Sequence, residues 1–191
     1  MDLAFMQIDS PIGKLKLVAG NEGLVAILWE NDDPNRVRVA DPVEQREHPI
    51  LVKTARQLEE YFAGKRRSFN VPLEMRGTQF QRSVWELLLT IPFGETRTYG
   101  YVAKRLGNAQ AARAVGAATG RNPISIIVPC HRLIGAAGQL TGFAGGLATK
   151  ERLLALERGN GRTPDCAHNS PPNLYPTRRA DPGGSTGDAV V

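Results

Sequence analysis

The chain reads Ile126-Ile127-Val128-Pro129-Cys130-His131-Arg132 where an apolar run meets a cysteine and a histidine. The run predicts a buried strand over residues 124–128, with Cys130 just beyond its end. Cys130 is one of two cysteines in 191 residues. A cysteine beside a histidine, with an acid elsewhere in the chain, is typical of a nucleophile. The alternative is a buried structural thiol, because free cysteine is among the most buried residue types.

Helical patterns surround this run on both sides. Thr78 is a candidate N-cap for an amphipathic helix that ends before Pro92. Two short helices are predicted over residues 99–106 and 109–119, with a glycine-containing turn between them, which is a helix-turn-helix pattern. A loop with five glycines covers residues 135–146, and a closing helix is predicted over residues 147–157.

The N-terminal third shows strand patterns instead. Apolar and alternating segments at residues 5–8, 15–19 and 24–29 predict three strands separated by turns. The charged segment 31–47 is predicted to be a loop, residues 49–62 a helix, and residues 69–73 a short strand. We therefore expect a small α/β domain over residues 1–75.

The remaining chain divides at a change of composition near Gly159. Residues 76–158 are predicted to form a second, mainly helical domain that carries Cys130. Residues 159–191 are rich in Gly, Pro, Ser, Asp and Arg, and are predicted to be a disordered tail because they bury too little apolar surface. Cys166 and His168 lie there, and two residues are too few for a metal site.

Charge is distributed unevenly along the chain. The formal net charge is +5, with a pI near 9.5. Residues 96–150 contain seven Lys and Arg but no Asp or Glu, and Cys130 lies within this basic segment. Such a segment favours a nucleic-acid surface, while a solvated basic face without a ligand explains the charge equally well.

Several classes of protein do not fit the sequence. The two cysteines do not form a disulfide framework, which favours a reducing compartment. The N-terminus lacks the pattern of a signal peptide, and no apolar stretch approaches the ~20 residues that a membrane span requires. We therefore expect a cytoplasmic protein with no membrane association.

A set of motifs identifies a family. In chain order these are Ala112-Arg113-Ala114-Val115-Gly116, Arg121-Asn122-Pro123, Val128-Pro129-Cys130-His131-Arg132, Gly145-Gly146-Leu147-Ala148, Lys150-Glu151 and Glu157. Together they resemble the O6-alkylguanine-DNA alkyltransferases, also called methylated-DNA–protein-cysteine methyltransferases, over residues 1 to about 158. The resemblance implies a ribonuclease H-like N-terminal domain with a small antiparallel sheet and a helix. It also implies a mainly α, winged-helix-like C-terminal domain.

The resemblance implies direct reversal of DNA damage. An alkyl group would pass from O6 of guanine, and from O4 of thymine, to the cysteine of the protein itself. The thioether product is stable, so each protein molecule would react once. The substrate would be alkylated double-stranded DNA bound through its minor groove, with the damaged base flipped out of the stack. The resemblance implies a monomer that needs no metal or cofactor.

The resemblance also assigns catalytic roles. Cys130 would be the acceptor nucleophile and His131 its base through a bridging water. Glu157 would orient His131, following the logic of a catalytic triad. Asn122 would give hydrogen-bond support, and Tyr99 would donate a proton to the leaving guanine. The alternatives are a surface acid near a helix end for Glu157 and a core packing residue for Tyr99.

DNA contacts are implied mainly along the helix-turn-helix. Arg113 would be the finger that fills the vacated stack, the alternative being an ordinary phosphate contact. Further contacts would come from Ala111, Ala112, Gly116, Arg121, Thr98 and Lys104. The base pocket would be lined by Leu133, Phe143, Ala144 and Gly145. Phe143 and Ala144 stand where many relatives carry Tyr and Ser, so the resemblance implies that the Tyr hydroxyl and Ser contacts to the base would be missing.

Three other functions are compatible with parts of the sequence. A non-catalytic lesion sensor would flip the base without reacting, but such proteins lack the acceptor cysteine. A cysteine hydrolase would explain Cys130, His131 and Glu157, but not the basic helix-turn-helix. A transcription factor would need side chains that read base edges, and the alanine-rich second helix offers few.

Overall fold

The computed structural model of the protein describes residues 3–159. Its N-terminal part, residues 3–75, is built on a four-stranded sheet with strand order β3-β2-β1-β4. The strands are β1 (Ala4–Ile8), β2 (Leu15–Ala19), β3 (Leu24–Trp29) and β4 (Val43–Glu44). Strands β1 to β3 are antiparallel and match the predicted strands. The predicted small sheet is therefore confirmed in its main strands.

Strand β4 corrects the prediction that residues 31–47 form only a loop. It pairs parallel to β1, so the sheet is mixed instead of purely antiparallel. Both of its residues are exposed, and a two-residue strand on the surface carries no alternating pattern that a sequence analysis could detect.

Helix α1 (Pro49–Phe62) packs against this sheet. Leu51, Leu58 and Tyr61 are fully buried on its inner face, in agreement with the predicted apolar stripe. The helix begins at a proline, whose missing N–H is not needed in the first turn. The last buried side chain of this stripe, Tyr61, points towards the C-terminal part.

The C-terminal part, residues 76–159, contains helices α2 (Gln79–Leu89), α3 (Tyr99–Arg105), α4 (Ala112–Gly120) and α5 (Leu147–Glu157). Thr78 and Gln81 form a capping box that fixes the start of α2. Helices α3 and α4 are the predicted helix-turn-helix. The predicted helix 109–119 is corrected at its start, because residues 109–111 form a 3₁₀ turn capped by Asn108.

The predicted strand over residues 124–128 is wrong. Its apolar residues are buried, but the backbone turns within the segment, and Ile126 adopts a φ of 75°. Only isolated bridges occur there, including Ile27 with Ile124. A continuous apolar run indicates burial but does not distinguish a strand from a buried turn. The predicted strand 69–73 is likewise reduced to one bridge, between Leu24 and Leu73.

A short parallel pair of strands was not predicted. Strand β5 (Arg97–Thr98) pairs with β6 (Leu133–Ile134). This pairing fixes the start of the helix-turn-helix beside the segment that follows Cys130. It therefore brings residues 36 positions apart in the sequence, Arg97 and Leu133, next to each other.

The two parts share a continuous apolar core. Leu15 and Trp29 from the sheet belong to the same cluster as Trp85, Val128 and Cys130. The backbone N–H of Ile27 also donates to the carbonyl of Pro123 at 2.9 Å. The predicted tail, with Cys166, lies outside the described residues. Within residues 3–159, no helix is long and apolar enough to cross a bilayer.

Candidate active site

Cys130 begins a 3₁₀ turn, Cys130–Arg132, just below the surface of the C-terminal part. Its relative exposure is 5%, and its backbone N–H donates to the carbonyl of Val128 at 2.8 Å. His131 follows Cys130 in this turn, and successive side chains of a 3₁₀ helix diverge by about a third of a circle.

Asn122 holds the buried turn that precedes the cysteine. Its side-chain amide donates to the carbonyl of Val128 at 2.9 Å and accepts from the N–H of Ile124 at 3.0 Å. Burial raises the pKa of the Cys130 thiol, while Asn122 and the positive charges of Arg36 and Lys150 act in the opposite direction. Asn122 thus both shapes the turn and favours the thiolate.

His131 and Glu157 form a buried pair. His131 Nε2 lies 2.7 Å from Glu157 Oε1, and both side chains have no exposed surface. An ionised carboxylate can only accept, so Nε2 carries the proton and Nδ1 of the neutral ring has a free lone pair. Burial lowers the pKa of His131, which favours the neutral ring. Nδ1 is buried without a hydrogen-bond partner among the described residues.

Glu157 has additional partners that the sequence analysis missed. Arg132 donates through Nε to Oε2 at 2.8 Å and through Nη2 to Oε1 at 3.0 Å. The Tyr61 hydroxyl donates to Oε1 at 2.8 Å and the N–H of Gly94 to Oε2 at 3.0 Å. Burial opposes ionisation, but hydrogen bonds from His131 and Arg132 hold the pKa of Glu157 well below its usual range.

Tyr99 lies at the start of α3, next to the glycine-rich loop. Its hydroxyl oxygen accepts a hydrogen bond from Thr141 at 3.0 Å, which leaves its own proton available to a ligand. Burial raises the pKa of Tyr99, so the hydroxyl stays protonated at neutral pH. A Cβ added to Gly116 of α4 would lie 3.9 Å from the Tyr99 ring. The structure therefore brings the tyrosine and the second helix of the helix-turn-helix together.

The predicted pocket residues lie around the same loop. Leu133 is buried and Ala144 is exposed. Phe143 packs edge-on against Trp29 of β3, with ring centroids 5.5 Å apart. A Cβ on Gly145 would lie 2.9 Å from that indole ring, so glycine is required there. Trp29 belongs to the apolar core, and it also supports the loop that carries Phe143 and Gly145.

The predicted DNA-contacting residues are all at least partly accessible. Arg113 is exposed near the start of α4, and Ala111, Ala112 and Gly116 around it are only partly buried. Lys104 and Arg121 are also exposed. The Thr98 hydroxyl caps α3 by accepting from the N–H of Tyr101 at 3.1 Å. Thr98 therefore has a structural role whether or not it contacts DNA.

Two cations near the cysteine were also missed. Lys150 has no exposed surface, and its Nζ donates to the Thr141 carbonyl at 3.0 Å. Burial lowers the pKa of Lys150 to about 8. Arg36, from the N-terminal part, donates to the Asn122 carbonyl and pairs with Asp32. Lysine and arginine side chains are usually exposed, so the sequence did not predict that the Lys150 and Arg36 side chains are largely buried.

The fold and the site together define a class: a two-part protein with a helix-turn-helix and a buried Cys–His–Glu arrangement. Two protein-family models match the chain. One is described as the ribonuclease-like domain of 6-O-methylguanine DNA methyltransferase and matches residues 4–75. The other is the DNA-binding domain of the same family and matches residues 79–159.

Individual proteins are similar over the same region. Methylated-DNA–protein-cysteine methyltransferase of Methanosarcina acetivorans is 52% identical over 149 residues, which are 78% of this chain and 94% of that protein. The protein of the same name from Mycolicibacterium paratuberculosis is 48% identical over 160 residues, 82% of this chain and 93% of that protein. The crystal structure of Mycobacterium tuberculosis OGT in complex with DNA has a TM-score of 0.72 at 47% identity, covering 82% and 93%.

The chain belongs to the methylated-DNA–protein-cysteine methyltransferase family. The resemblance inferred from the motifs around Cys130 is confirmed.

Proposed function

We propose that this protein repairs DNA by direct reversal, moving an alkyl group from O6 of guanine to its own Cys130. The observation that carries the proposal is the buried Cys130 thiol, one residue from a histidine that Glu157 holds at 2.7 Å. The arrangement lies in the part that matches a methyltransferase DNA-binding domain. The relatives named above are methyltransferases of the same kind.

The chemistry follows from the available protons. His131 Nδ1 takes the thiol proton through a bridging water, and Glu157 stabilises the imidazolium that results. The thiolate sulfur attacks the alkyl carbon, the S–C bond forms and the C–O6 bond breaks. The electron pair of that bond remains on guanine, which takes up a proton from Tyr99 and leaves neutral. The proton held by His131 restores Tyr99 through solvent, so the net reaction converts thiol and alkylguanine into thioether and guanine.

The proposed DNA geometry rests on the small residues around Arg113. Ala111, Ala112 and Gly116 would let α4 enter the minor groove closely, and Arg113 would occupy the place of the flipped base. Arg121, Lys104 and Thr98 would contact the backbone. Leu133, Phe143, Ala144 and Gly145 would line the pocket for alkylated guanine, and O4-alkylated thymine would be a second substrate.

We also propose that the protein acts as a monomer in the cytoplasm. The divisions at residues 1–75, 76–158 and 159–191 are proposed as two domains and a tail. A ribonuclease H-like N-terminal domain and a winged-helix-like C-terminal domain are the finer fold assignments we propose.

The other candidate functions are less well supported. A sensor does not need the acceptor that Cys130 provides. A cysteine hydrolase would use Cys130, His131 and Glu157 through a thioester that water cleaves, but it would have no use for the basic helix-turn-helix. A regulator that reads bases in the major groove would need polar side chains on the alanine-rich α4.

Stoichiometry tests the proposal. The protein should be incubated with a large excess of a duplex containing O6-methylguanine, and the guanine that forms should be counted against protein. We expect the reaction to stop at one guanine per protein molecule. Continued formation would indicate turnover and therefore a hydrolase, whereas no guanine at all would leave a sensor or regulator.

Arg113→Ala tests the role of the exposed arginine on α4. Flipping costs a few kcal/mol of stacking, so we expect repair of a duplex to slow about tenfold to a hundredfold. Reaction with the free base, O6-methylguanine, should stay unchanged because no flipping is involved. Second-order rate constants with both substrates provide the measurement, with exposed Arg56 of α1 as the matched Arg→Ala control. Equal losses with duplex and free base would rule out the finger role.

Lys150→Met tests the buried cation beside the cysteine. Removing a positive charge near the thiolate should slow reaction with the free base about tenfold at pH 7. The pKa of Lys150 is about 8, so the lysine of the unchanged protein loses its charge as the pH rises. The difference between the two proteins should therefore shrink above pH 8, as measured by rates from pH 6 to 10. A difference in rate between the two proteins that stays constant across pH 8 would contradict the electrostatic role of Lys150. Lys53→Met, at an exposed position of α1, is the control.

A further inference from the structure

The N-terminal part contributes a side chain to the acid–base network. Tyr61 is fully buried near the end of α1, and its hydroxyl lies 2.8 Å from Glu157 Oε1, 96 residues away in the sequence. The ring is fixed by Phe62 and Phe69 at centroid distances of 5.4 Å and by Phe93 at 6.1 Å. The hydroxyl is therefore held against the carboxylate by the packing of its own ring.

Tyr61 and His131 donate to the same oxygen atom. Oε1 of Glu157 accepts from Tyr61, from His131 Nε2 at 2.7 Å and from Arg132 Nη2 at 3.0 Å. A carboxylate oxygen has about two lone-pair sites, so three donors compete for it. Tyr61 and Arg132 each take a share of the negative charge on Oε1 that would otherwise stabilise a protonated His131.

We infer that Tyr61 is a positioning residue for alkyl transfer: its hydroxyl fixes the Glu157 carboxylate and limits how strongly Oε1 binds His131. The inference rests on the proposed function for its kinetic consequence, but not for its structural part. A base that receives the thiol proton must be neutral beforehand. The hydrogen bond from Tyr61 weakens the stabilisation that the Glu157 carboxylate gives to protonated His131. His131 therefore stays neutral down to a lower pH than it would without Tyr61.

Two charged groups near this pair act on His131 in the same direction as Tyr61, but through their charge. Arg132, on the same turn as His131, bonds both carboxylate oxygens and offsets the charge of Glu157. Lys150 on α5 lowers the pKa of His131 through its charge. Tyr61 is a neutral donor, and its pKa is raised by burial and by Glu157, so it keeps its proton throughout the working range.

Tyr61→Phe removes the hydroxyl and keeps the ring. With one competitor fewer, the bond between His131 and Oε1 should strengthen, and the pKa of His131 should rise by about 0.5–1 unit, which corresponds to one ordinary hydrogen bond. The acid limb of the rate profile with the free base should move to higher pH by the same amount. Tyr101→Phe, which removes an exposed hydroxyl from α3, is the matched control.

Nuclear magnetic resonance of the His131 ring N–H tests the structural part independently of any transfer activity. We expect this resonance to move downfield in Tyr61→Phe and to stay in place in Tyr101→Phe. A resonance at the wild-type position would overturn the inference. A shifted resonance with an unshifted acid limb would overturn the positioning role in catalysis. A protein without transfer activity would contradict the proposed function while still reporting on the hydrogen bond.

Discussion

Replacing Cys130 by alanine should abolish alkyl transfer and leave the affinity for duplex DNA within about twofold of the unchanged protein. The thiol is the acceptor in the proposed reaction, and no other described side chain replaces it, because Cys130 is the free cysteine among residues 3–159. DNA binding is assigned to the exposed face of α3 and α4. The buried thiol contributes nothing to that face.

Two measurements on the Cys130→Ala protein check this division of roles. Transfer is measured as guanine released from a methylated duplex, and affinity by titration of the same duplex at a fixed salt concentration. Cys166→Ala is the matched control and should retain full transfer. Residual transfer by Cys130→Ala would show that another residue is the acceptor, and a large loss of affinity would show that the cysteine segment contacts DNA itself.

Glu157→Gln should destabilise the protein by about 3–5 kcal/mol, because it leaves the buried Arg132 guanidinium without its counter-charge. The side chain has no exposed surface and accepts hydrogen bonds from Tyr61, Gly94, His131 and Arg132. The glutamine side chain has the same shape but only one accepting oxygen. Its NH₂ group would therefore face N–H or O–H donors that one of the carboxylate oxygens accepts from in the unchanged protein. The free energy of unfolding in urea provides the measurement. Glu151→Gln, on the same helix, should change stability by less than about 0.5 kcal/mol.

The contribution of Glu157 to the free energy of unfolding should decrease as the pH falls. The pKa of this carboxyl is lower in the folded protein than in the unfolded chain. Its contribution to stability is therefore complete above the unfolded pKa of about 4.3 and is lost as the pH falls further. The difference in stability between Glu157→Gln and the unchanged protein should narrow below about pH 4. A constant difference from pH 7 to pH 3 would contradict the assigned ionisation.

Much of the fold was predictable because its elements have clear periodic patterns. The strands β1 to β3, the helix α1 and the helix α5 lie where alternating and helical apolar spacing places them. The segment 124–128 was mispredicted because a continuous apolar run is compatible with any buried backbone shape. Its turn depends on Asn122, whose amide replaces the hydrogen bonds that a strand would have made.

The site was predictable in its local motif but not in its long-range partners. Asn122, Cys130 and His131 lie within ten residues of one another, and Glu157 was assigned through the family pattern. Tyr61, Arg36 and Trp29 come from the N-terminal part and reach the site only through tertiary packing. Lys150 is buried against the expectation for a lysine. No local spacing encodes such contacts, so they require the structure.

Locating the transferred alkyl group tests the central claim most directly. The protein should be reacted to completion with a duplex containing O6-methylguanine, digested, and analysed by peptide mass spectrometry. We predict one methyl group per molecule, on the peptide that contains Cys130, and an unmodified Cys166. A methyl group on Cys166 or on any other residue, or an unmodified Cys130 after guanine has been released, would contradict the account.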